Sequence, residues 1–306
     1  MAYTDVLVLG AGASTPYGFP TGEKLKEDIV SQFEEKGTRP SATGRVKFSA
    51  ISQKLKDISN LPFEEQHCIN FADAFHRSQR YSVDAFIEMR SDKFLDIGKY
   101  AIAHCLRERE NENLLLSAGD WYQVFFNNIL PSTRDEPENF TVITFNYDRS
   151  LQCYLKMALQ AAMGDSYRDG IESNINFHCL HGSFHKDREL PEFGKAGEEH
   201  NVKLAATIKL PCEVVDNLNR NMVLRSARQC LEDAKRIFVL GFGFDETNAS
   251  RLFGGINFGI KEIHASSVGL GRRTREYANR IFRRSDVDSI FGAESESISD
   301  ILREHL

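Results

Sequence analysis

A hydrophobic run that leads straight into a glycine-rich turn constrains the fold of this chain more than any other feature. Residues 4–9 have the pattern of a buried parallel strand, Gly10–Ser14 form the turn, and amphipathic residues follow from 21 to 33. A strand, a glycine loop and a helix in this order make a phosphate site, because a helix N-terminus offers N–H groups and partial positive charge. Gly10 and Gly12 can adopt positive φ, which would let a pyrophosphate approach the backbone closely.

The glycine pattern matches the dinucleotide-binding fingerprint only in part. Thr15 stands where G-x-G-x-x-G has its third glycine. The turn therefore has two interpretations that the local sequence leaves open. It either holds a nucleotide phosphate or simply ends a buried first strand.

The composition of the chain indicates which class of protein it belongs to and which kinds of partner it can bind. The chain has 306 residues, of which 41% are hydrophobic and 27% charged, so it suits one large globular α/β domain or two smaller ones. The net charge of −6 and the scattered basic residues indicate no direct nucleic-acid binding. Two arginine pairs, at 272–273 and 283–284, favour a solvated helix face over a phosphate or partner contact.

The six cysteines indicate neither a structural zinc site nor a disulfide framework. None of them forms a C-x-x-C pair, so no metal is expected. Asp5 and the glycine loop interrupt the short apolar N-terminus, so no secretory signal is expected. Because no apolar run reaches about 18 residues, no membrane span is expected. We therefore expect a cytoplasmic protein with reduced thiols.

Strand and helix patterns alternate along most of the chain. Strands are predicted at 4–9, 140–145, 175–180, 204–210, 237–240 and 261–265, and helices at 21–36, 121–130, 149–163, 213–234 and 272–283. Residues 63–130 are helical without a strand. The polar segment 38–62 is either a connection or a short helix, and 184–201 has the polarity of a loop. The order predicts an α/β fold, a Rossmann-like doubly wound parallel sheet. We interpret 1–306 as a single domain with a helical insertion at about 40–135.

Polar residues follow three of the predicted strands, and their side chains suit catalysis. Ser14 follows the first, Asn146 with Asp148 the second, and His181 the third. The carboxyl ends of parallel strands meet at one edge of a sheet, where ligands bind. An amide can donate and accept hydrogen bonds, an imidazole can act as a base, and Asp148 can orient it.

Each of these residues also has a structural interpretation. Asn146 can be a turn residue that bonds to its own backbone. Asp148 can cap the helix that starts at Arg149. His181, next to Gly182, can be a structural histidine with satisfied hydrogen bonds.

Short motifs in the correct order resemble those of the sirtuin family. Gly10–Ser14 with Gly18–Pro20 is similar to its GAG-x-S … G-[IF]-P loop, Thr144–Asp148 to T-x-N-[IY]-D, and 180–183 to L-H-G. The segment 239–244 resembles the late strand and loop of the family. Residues 81–86 are similar to a segment of its bacterial branch. These matches span about 10–250.

Two departures narrow the resemblance. Protein-deacylating sirtuins continue the first motif with D-F-R, whereas this chain has Pro20–Glu23. They also carry two C-x-x-C zinc pairs after H-G, whereas residues 183–201 contain no cysteine. What remains is similar to the bacterial antiphage branch, which hydrolyses NAD to ADP-ribose and nicotinamide and so depletes NAD in abortive infection.

The resemblance implies roles for named residues. Asn146, His181 and Asp148 would be catalytic: His181 as general base, Asn146 positioning water or a ribose hydroxyl, and Asp148 holding the geometry or contacting the nicotinamide amide. NAD, the substrate, would contact a set of loop residues, namely Gly10, Ala11, Gly12, Ala13, Ser14, Gly18, Pro20, Gly241, Asp245 and Asn248. Asp245 can equally cap the helix that follows it.

The resemblance also leaves other functions and partners open. One alternative is an NAD-dependent protein deacylase or ADP-ribosyltransferase, and another is a non-catalytic module that senses NAD or ADP-ribose. An unrestrained NADase would kill its host, so we expect control by homo-oligomerisation or by a partner chain such as a HerA-type ATPase.

Overall fold

The computed structural model describes residues 5–32, 63–80, 82–117, 120–129, 140–164, 175–182, 184, 191–213, 221–283, 290–291 and 297–306. The predicted connection at 38–62, and Tyr81 and Ser183 of the sirtuin-like motifs, lie outside these residues. In the part of the chain that is described, no helix is both long and apolar enough to cross a bilayer.

Apart from the segment at 204–210, the described elements follow one another in the order that the sequence predicts for an α/β protein. In chain order they are β1 (Asp5–Leu9), a 3-10 helix (Ala11–Tyr17), α1 (Gly22–Gln32), α2 (Glu65–Arg77), α3 (Val83–Met89), α4 (Ser91–Arg107), α5 (Glu112–Ser117), α6 (Trp121–Ile129), β2 (Phe140–Thr144), α7 (Ser150–Met163), β3 (Ile175–Cys179), α8 (Asn201–Thr207), α9 (Met222–Asp233), β4 (Arg236–Leu240), α10 (Glu246–Phe253), β5 (Glu262–Ala265), α11 (Arg272–Ile281) and α12 (Ile298–His305). Short 3-10 turns cover Glu198–His200 and Pro211–Glu213.

The five strands form one parallel sheet with the order β3-β2-β1-β4-β5. Leu7 in β1 is paired with Val142 in β2 and with Phe238 in β4, which sets the register of the three central strands. The chain moves outward from β1 in one direction through β2 and β3, and in the other through β4 and β5. This order is the one found in Rossmann-like folds, and the predicted fold class is confirmed.

Helices cover both faces of the sheet. Every residue of β1 is buried, and successive strand residues point to opposite faces, so both faces must be packed. On one face, Val6 and Val8 belong to a core that includes Leu231 of α9 and Leu252 of α10. On the opposite face of the sheet, the ring of Phe140 packs edge-on against Phe125 of α6, with centroids 5.3 Å apart.

The chain divides into two compact units. The sheet unit consists of residues 1–19, 111–183 and 215–306, and the helical unit of 20–110 and 184–214. Phenylalanines 71, 75, 86 and 94 pack together in the helical unit. The insertion was expected at about 40–135, but α5 and α6 belong to the sheet unit, and a later segment joins the helical one.

The strand predicted at 204–210 is wrong, because residues Asn201–Thr207 form helix α8. Leu204, Ala205 and Ile208 are buried, and this spacing suits one face of a helical turn as well as it suits a short strand. Asn201 holds the start of α8, since its Oδ1 accepts from the Arg107 guanidinium at 2.8 Å. Tertiary contacts in the helical unit therefore decided between two locally acceptable conformations.

The predicted helix at 213–234 starts later than expected. Asn221 caps α9 by accepting a hydrogen bond from the Leu224 N–H at 3.0 Å, so the helix runs over Met222–Asp233. Residues 214–220 lie outside the described part of the chain. The predicted helices near 121–130, 149–163 and 272–283 are confirmed within one or two residues.

Candidate functional site

The loop after β1 is a 3-10 helix, and its glycines are needed for a different reason than expected. Gly10 has φ −109°, and neither Gly10 nor Gly12 is among the residues with positive φ. A Cβ on Gly10 would lie 2.6 Å from the carbonyl oxygen of Gly241, and one on Gly12 would lie 2.9 Å from it. The expectation of positive φ is therefore wrong. These glycines instead allow the loop after β1 (the β1 loop) to contact the loop after β4 (the β4 loop), which begins at Gly241.

Hydrogen bonds join the two loops and occupy part of the expected phosphate site. The Gly12 N–H donates to the Gly241 carbonyl at 2.9 Å, and the Ala13 N–H donates to the Gly10 carbonyl at 3.0 Å. The N–H groups of Gly12 and Ala13 are thus bonded within the protein. Ala11 and Gly12 are half-buried, whereas Ala13 and Ser14 are buried.

Gly18 and Pro20 lie at the far end of this loop. Gly18 ends the 3-10 helix with φ 88°, and its N–H donates to the Thr15 carbonyl at 3.1 Å. A residue with a side chain is strained in this conformation, so the glycine has a structural reason to be there. Half-buried Pro20 is the first residue of the helical unit.

Asn146 connects the end of β2 to the β1 loop. Its Nδ2 donates to the Gly10 carbonyl at 3.0 Å and to the Ser14 hydroxyl at 3.1 Å. Its own N–H donates to Oγ1 of Thr144 at 3.0 Å. Asn146 and Ser14 are both buried, so the structure brings together two of the three predicted polar clusters.

Asp148 helps to start helix α7. Its Oδ1 accepts from the Ser150 N–H at 3.0 Å and also from the Ser150 hydroxyl. The N-cap residue of α7 is Arg149, so Asp148 lies one residue before the cap position and makes a turn-type contact with the second residue after it. The phenol oxygen of Tyr122 lies 2.6 Å from the Ser150 hydroxyl oxygen, so a buried hydrogen-bonded chain leads from α6 to the carboxylate. Burial raises the pKa of Tyr122, and the Asp148 charge raises it further.

Two aromatic residues at the start of α6 hold the glycine loop, a role that the predicted helix at 121–130 does not indicate. The Trp121 indole N–H donates to the Ala13 carbonyl at 2.8 Å, and the Tyr122 backbone N–H donates to the Tyr17 hydroxyl at 2.8 Å. The rings of Tyr17 and Tyr122 are stacked, with centroids 3.6 Å apart. The polar ends of Trp and Tyr in an apolar run are the signal that would have indicated these contacts.

A small polar cavity lies between the β1 loop and the start of α7. Its volume is about 10 Å³, which is about the room that one water molecule needs. Its polar lining side chains are Ser14, Tyr122, Thr144, Asn146, Asp148 and Gln152. Gln152 is buried on α7, and sequence reasoning did not predict its place here. The cavity is far too small for a nicotinamide ring in this conformation.

His181 is buried in the turn after β3 and is surrounded by aromatic rings. Its ring meets Phe145 edge-on at 5.3 Å and stacks on Tyr147 at 5.6 Å. Burial lowers the pKa of His181 from its usual 6.5 to about 4, and the Arg251 charge adds to the shift. Hydrogen bonds to the Asn248 side chain and the Phe145 backbone act in the opposite direction. His181 is therefore neutral at pH 7.

Asn146 and His181 have different neighbours. The two residues on either side of Asn146 contact the His181 ring, whereas the Asn146 amide is bonded to Gly10 and Ser14. The cavity that Asn146 lines is not lined by His181. The structure thus places His181 beside the segment that carries Asn146, but outside the cavity that Asn146 lines.

The late loop contributes one contact to this region and one helix cap. Gly241 has φ 59°, and a Cβ there would lie 2.0 Å from the Ala13 nitrogen. Asp245 accepts from the Asn248 N–H at 3.0 Å and so caps α10, as its alternative interpretation predicts. The Asn248 side chain is hydrogen-bonded to His181.

No protein-family model matches the chain, and no curated protein matches it at a significant level. The case for a function is carried by the motifs and by the contacts among their residues.

Proposed function

We propose that the sheet unit binds NAD at the carboxyl edge of the sheet and hydrolyses it to ADP-ribose and nicotinamide. The observation that carries this proposal is the pair of hydrogen bonds from Asn146 to Gly10 and Ser14, which joins two sirtuin-like motifs. They meet beside β1, where the strand order changes direction. In open parallel sheets, ligands bind outside the strand ends at such a point.

The proposed dinucleotide would cross the contact between the β1 and β4 loops. Because the N–H groups of Gly12 and Ala13 are already bonded, we assign the pyrophosphate to the Ala11 end of the 3-10 helix. Gly10 and Gly241 keep the backbone free of side chains there. Asn248 is our candidate for the adenosine ribose.

The chemistry of the reaction suits a neutral histidine. Loss of nicotinamide leaves positive charge on the ribose ring, which a protonated imidazole would repel. When water attacks that cation, the attacking oxygen becomes strongly acidic, so even a weakly basic imidazole can accept the proton. In this proposal His181 accepts that proton, and its low pKa keeps it uncharged before the reaction.

Asn146 and Asp148 have positioning roles in the same proposal. The polar cavity that they line has room for about one water, so the Asn146 amide is suited to holding water or a ribose hydroxyl. The Asp148 carboxylate is held by Ser150, and either maintains this geometry or contacts the nicotinamide amide. Nicotinamide binding requires the cavity to open, so closure around the ligand is part of the proposal.

A sensor that binds NAD or ADP-ribose without cleaving it is the second candidate. One observation favours it: both hydrogens of the Asn146 amide are engaged by protein oxygens, and His181 lies outside that cavity. A protein deacylase or ADP-ribosyltransferase is the third. The lack of cysteine between 183 and 201 disfavours its deacylase form.

The deciding experiment is incubation of the pure full-length chain with NAD, with nicotinamide, ADP-ribose and cyclic ADP-ribose resolved by chromatography. We expect nicotinamide and ADP-ribose in equal amounts, and loss of both with Asn146→Ala and His181→Ala. Asn127→Ala and His76→Ala, in α6 and α2, are the matched controls and should retain turnover. Calorimetric binding of NAD without products would instead establish the sensor. Products that depend on an acylated or acceptor peptide would establish the third function.

Control of such an activity is part of the proposal. We expect homo-oligomerisation or a partner chain, with a HerA-type ATPase as one candidate, in antiviral defence by NAD depletion. Light scattering of the chain, alone and mixed with a candidate partner, tests this expectation. A fully active monomer would contradict it.

A further inference from the structure

Two histidines and a glutamate come together near the N-terminal end of β5. Glu262 and His264 lie on β5, and His305 lies in the last turn of α12. One nitrogen or oxygen atom from each side chain lies within 4.8 Å of the other two. Glu262 is the first residue of β5, and alternate strand residues share a face, so the strand itself presents Glu262 and His264 together.

The three side chains contact one another directly. Oε1 of Glu262 lies 2.7 Å from Nε2 of His264. The imidazoles of His264 and His305 are stacked, with centroids 3.8 Å apart and planes 16° apart. Phe238 covers His264 at 5.4 Å. The site is therefore partly enclosed: the Glu262 side chain is half-exposed, and the His264 and His305 side chains are partly buried.

The local charges permit a cation to bind there. Arg236 is the nearby cationic side chain, but its guanidinium is paired with the buried Asp5 carboxylate, with Nε 2.9 Å from Oδ1. It also donates to the His305 carbonyl at 2.6 Å, which anchors the end of α12. The charge of Arg236 is thus already balanced by Asp5.

We propose that Glu262, His264 and His305 bind one divalent transition-metal ion, with Zn²⁺ the best fit. Two imidazoles and a carboxylate form a ligand set typical of zinc, whereas Mg²⁺ and Ca²⁺ prefer sites made of oxygen alone. Water completes the tetrahedron. The bound ion links the last turn of α12 to β5 and so holds the C-terminal helix on the sheet unit. The site contains no cysteine, so cysteine spacing does not reveal it.

Metal binding changes the arrangement of the rings. An ion bound through a ring nitrogen lies close to the plane of that ring, and two parallel rings 3.8 Å apart cannot both satisfy this condition. His305 must therefore turn out of the stack when the ion binds.

A second group in the helical unit makes a useful contrast. His104, Glu108 and Glu198 also place three ligand atoms within 4.8 Å. However, Nδ1 of His104 faces two donors, the Asn201 amide at 3.1 Å and the Arg107 guanidinium at 3.3 Å. Nδ1 must therefore accept, and the proton stays on Nε2, next to Glu108. A metal on Nε2 would move that proton to Nδ1, against both donors.

The test is metal binding by the full-length chain after treatment with EDTA and dialysis. Zn²⁺ is titrated calorimetrically, and Co²⁺ is titrated by the visible absorption typical of tetrahedral sites. We expect one ion per chain, with affinity about tenfold or more weaker in His264→Ala and His305→Ala. His104→Ala is the matched control and should bind as the wild type does. Glu262→Gln is a milder variant that keeps a polar side chain next to His264, and it should also weaken binding.

Two results would overturn the proposal. One is the absence of a saturable binding step at one equivalent of either metal. The other is equal affinity in the wild type, His264→Ala and Glu262→Gln, with circular dichroism showing that each variant is folded. Neither readout depends on NAD turnover, so the outcome is separate from that of the proposed function.

Discussion

The side-chain amide of Asn146 donates a hydrogen bond to the Ser14 hydroxyl at 3.1 Å, across 132 residues of chain. The same amide nitrogen donates to the Gly10 carbonyl, so one side chain ties the end of β2 to the loop after β1. Both ends of this connection are buried. The two loops therefore form one unit, in which a change at either loop should alter both stability and ligand binding.

Asn146→Ala should lower both stability and the proposed activity. The substitution leaves the Gly10 carbonyl and the Ser14 hydroxyl buried without this donor, which costs about 1–3 kcal/mol in the free energy of unfolding. Urea denaturation followed by circular dichroism measures this cost. Asn127→Ala, whose amide makes an exposed bond within α6, should change stability by at most about 0.5 kcal/mol. Equal effects of the two variants would contradict this account.

Gly241→Ala should be far more disruptive than Gly243→Ala, two residues away. A Cβ at Gly241 would lie 2.0 Å from the Ala13 nitrogen, in a backbone with φ 59°. We expect a loss of about 2–5 kcal/mol from overpacking and backbone strain together. A Cβ at Gly243 meets nothing within 4 Å, so that variant should stay within about 1 kcal/mol of the wild type. Thermal denaturation of the two variants checks the contrast, and similar melting temperatures would refute the loop contact.

His181 should make the protein less stable as the pH falls below 6.5. Its pKa is about 4 in the folded state and about 6.5 when unfolded, so the unfolded chain binds the extra proton between these values. Stability is therefore fully present above pH 6.5 and is lost progressively toward pH 4. The expected loss from this group is about 2 kcal/mol between pH 7 and pH 5. Urea denaturation at the two pH values measures it.

His181→Gln is the control for this dependence, since glutamine does not titrate. The difference in free energy of unfolding between the wild type and His181→Gln should shrink by about 2 kcal/mol on going from pH 7 to pH 5. An unchanged difference would mean that the histidine is not buried neutral. If His181 is also the proposed base, the acid limb of NAD turnover lies near pH 4 and not near 6.5.

Tyr17→Phe should destabilise the glycine loop without creating a large cavity, because the aromatic ring stays. The Tyr17 hydroxyl accepts from the backbone N–H of Tyr122, one of the N–H groups at the start of α6 that lack a partner within the helix. Its removal leaves a buried donor unsatisfied, at a cost of about 1–3 kcal/mol, while the ring stack on Tyr122 remains. Chemical denaturation gives the value. A loss below about 0.5 kcal/mol would show that this bond does not hold the loop.

The sheet was predictable from local patterns, and the exact use of its loops was not. Buried hydrophobic runs identify β1, β2 and β4, because a strand covered on both faces has little choice of composition. The alternation with helices then indicates a parallel sheet. The run at 204–210 was misassigned as a strand because its spacing suits both conformations. The contact of Arg107 with Asn201 comes from a helix about 94 residues earlier, which no local pattern reveals.

The candidate site shows the same division. The positions of Ser14, Asn146 and His181 after strands indicated which edge of the sheet they occupy. Their individual contacts depend on distances between loops, and these place Asn146 with Ser14 but His181 with Asn248. The steric reason for the glycines after β1 was not predictable either, because it is the close approach of Gly241 that leaves no room for a Cβ on Gly10 or Gly12.

By itself, the sequence determined the fold class, the strands of the sheet and the edge at which polar residues gather, because periodicity and strand ends are local properties of the chain. Only the tertiary structure decided which polar groups meet, which glycines are sterically required, and that His181 is neutral. It also decided that Glu262, His264 and His305 come together. Those outcomes depend on burial and on distances between residues far apart in the chain, which a linear pattern does not contain.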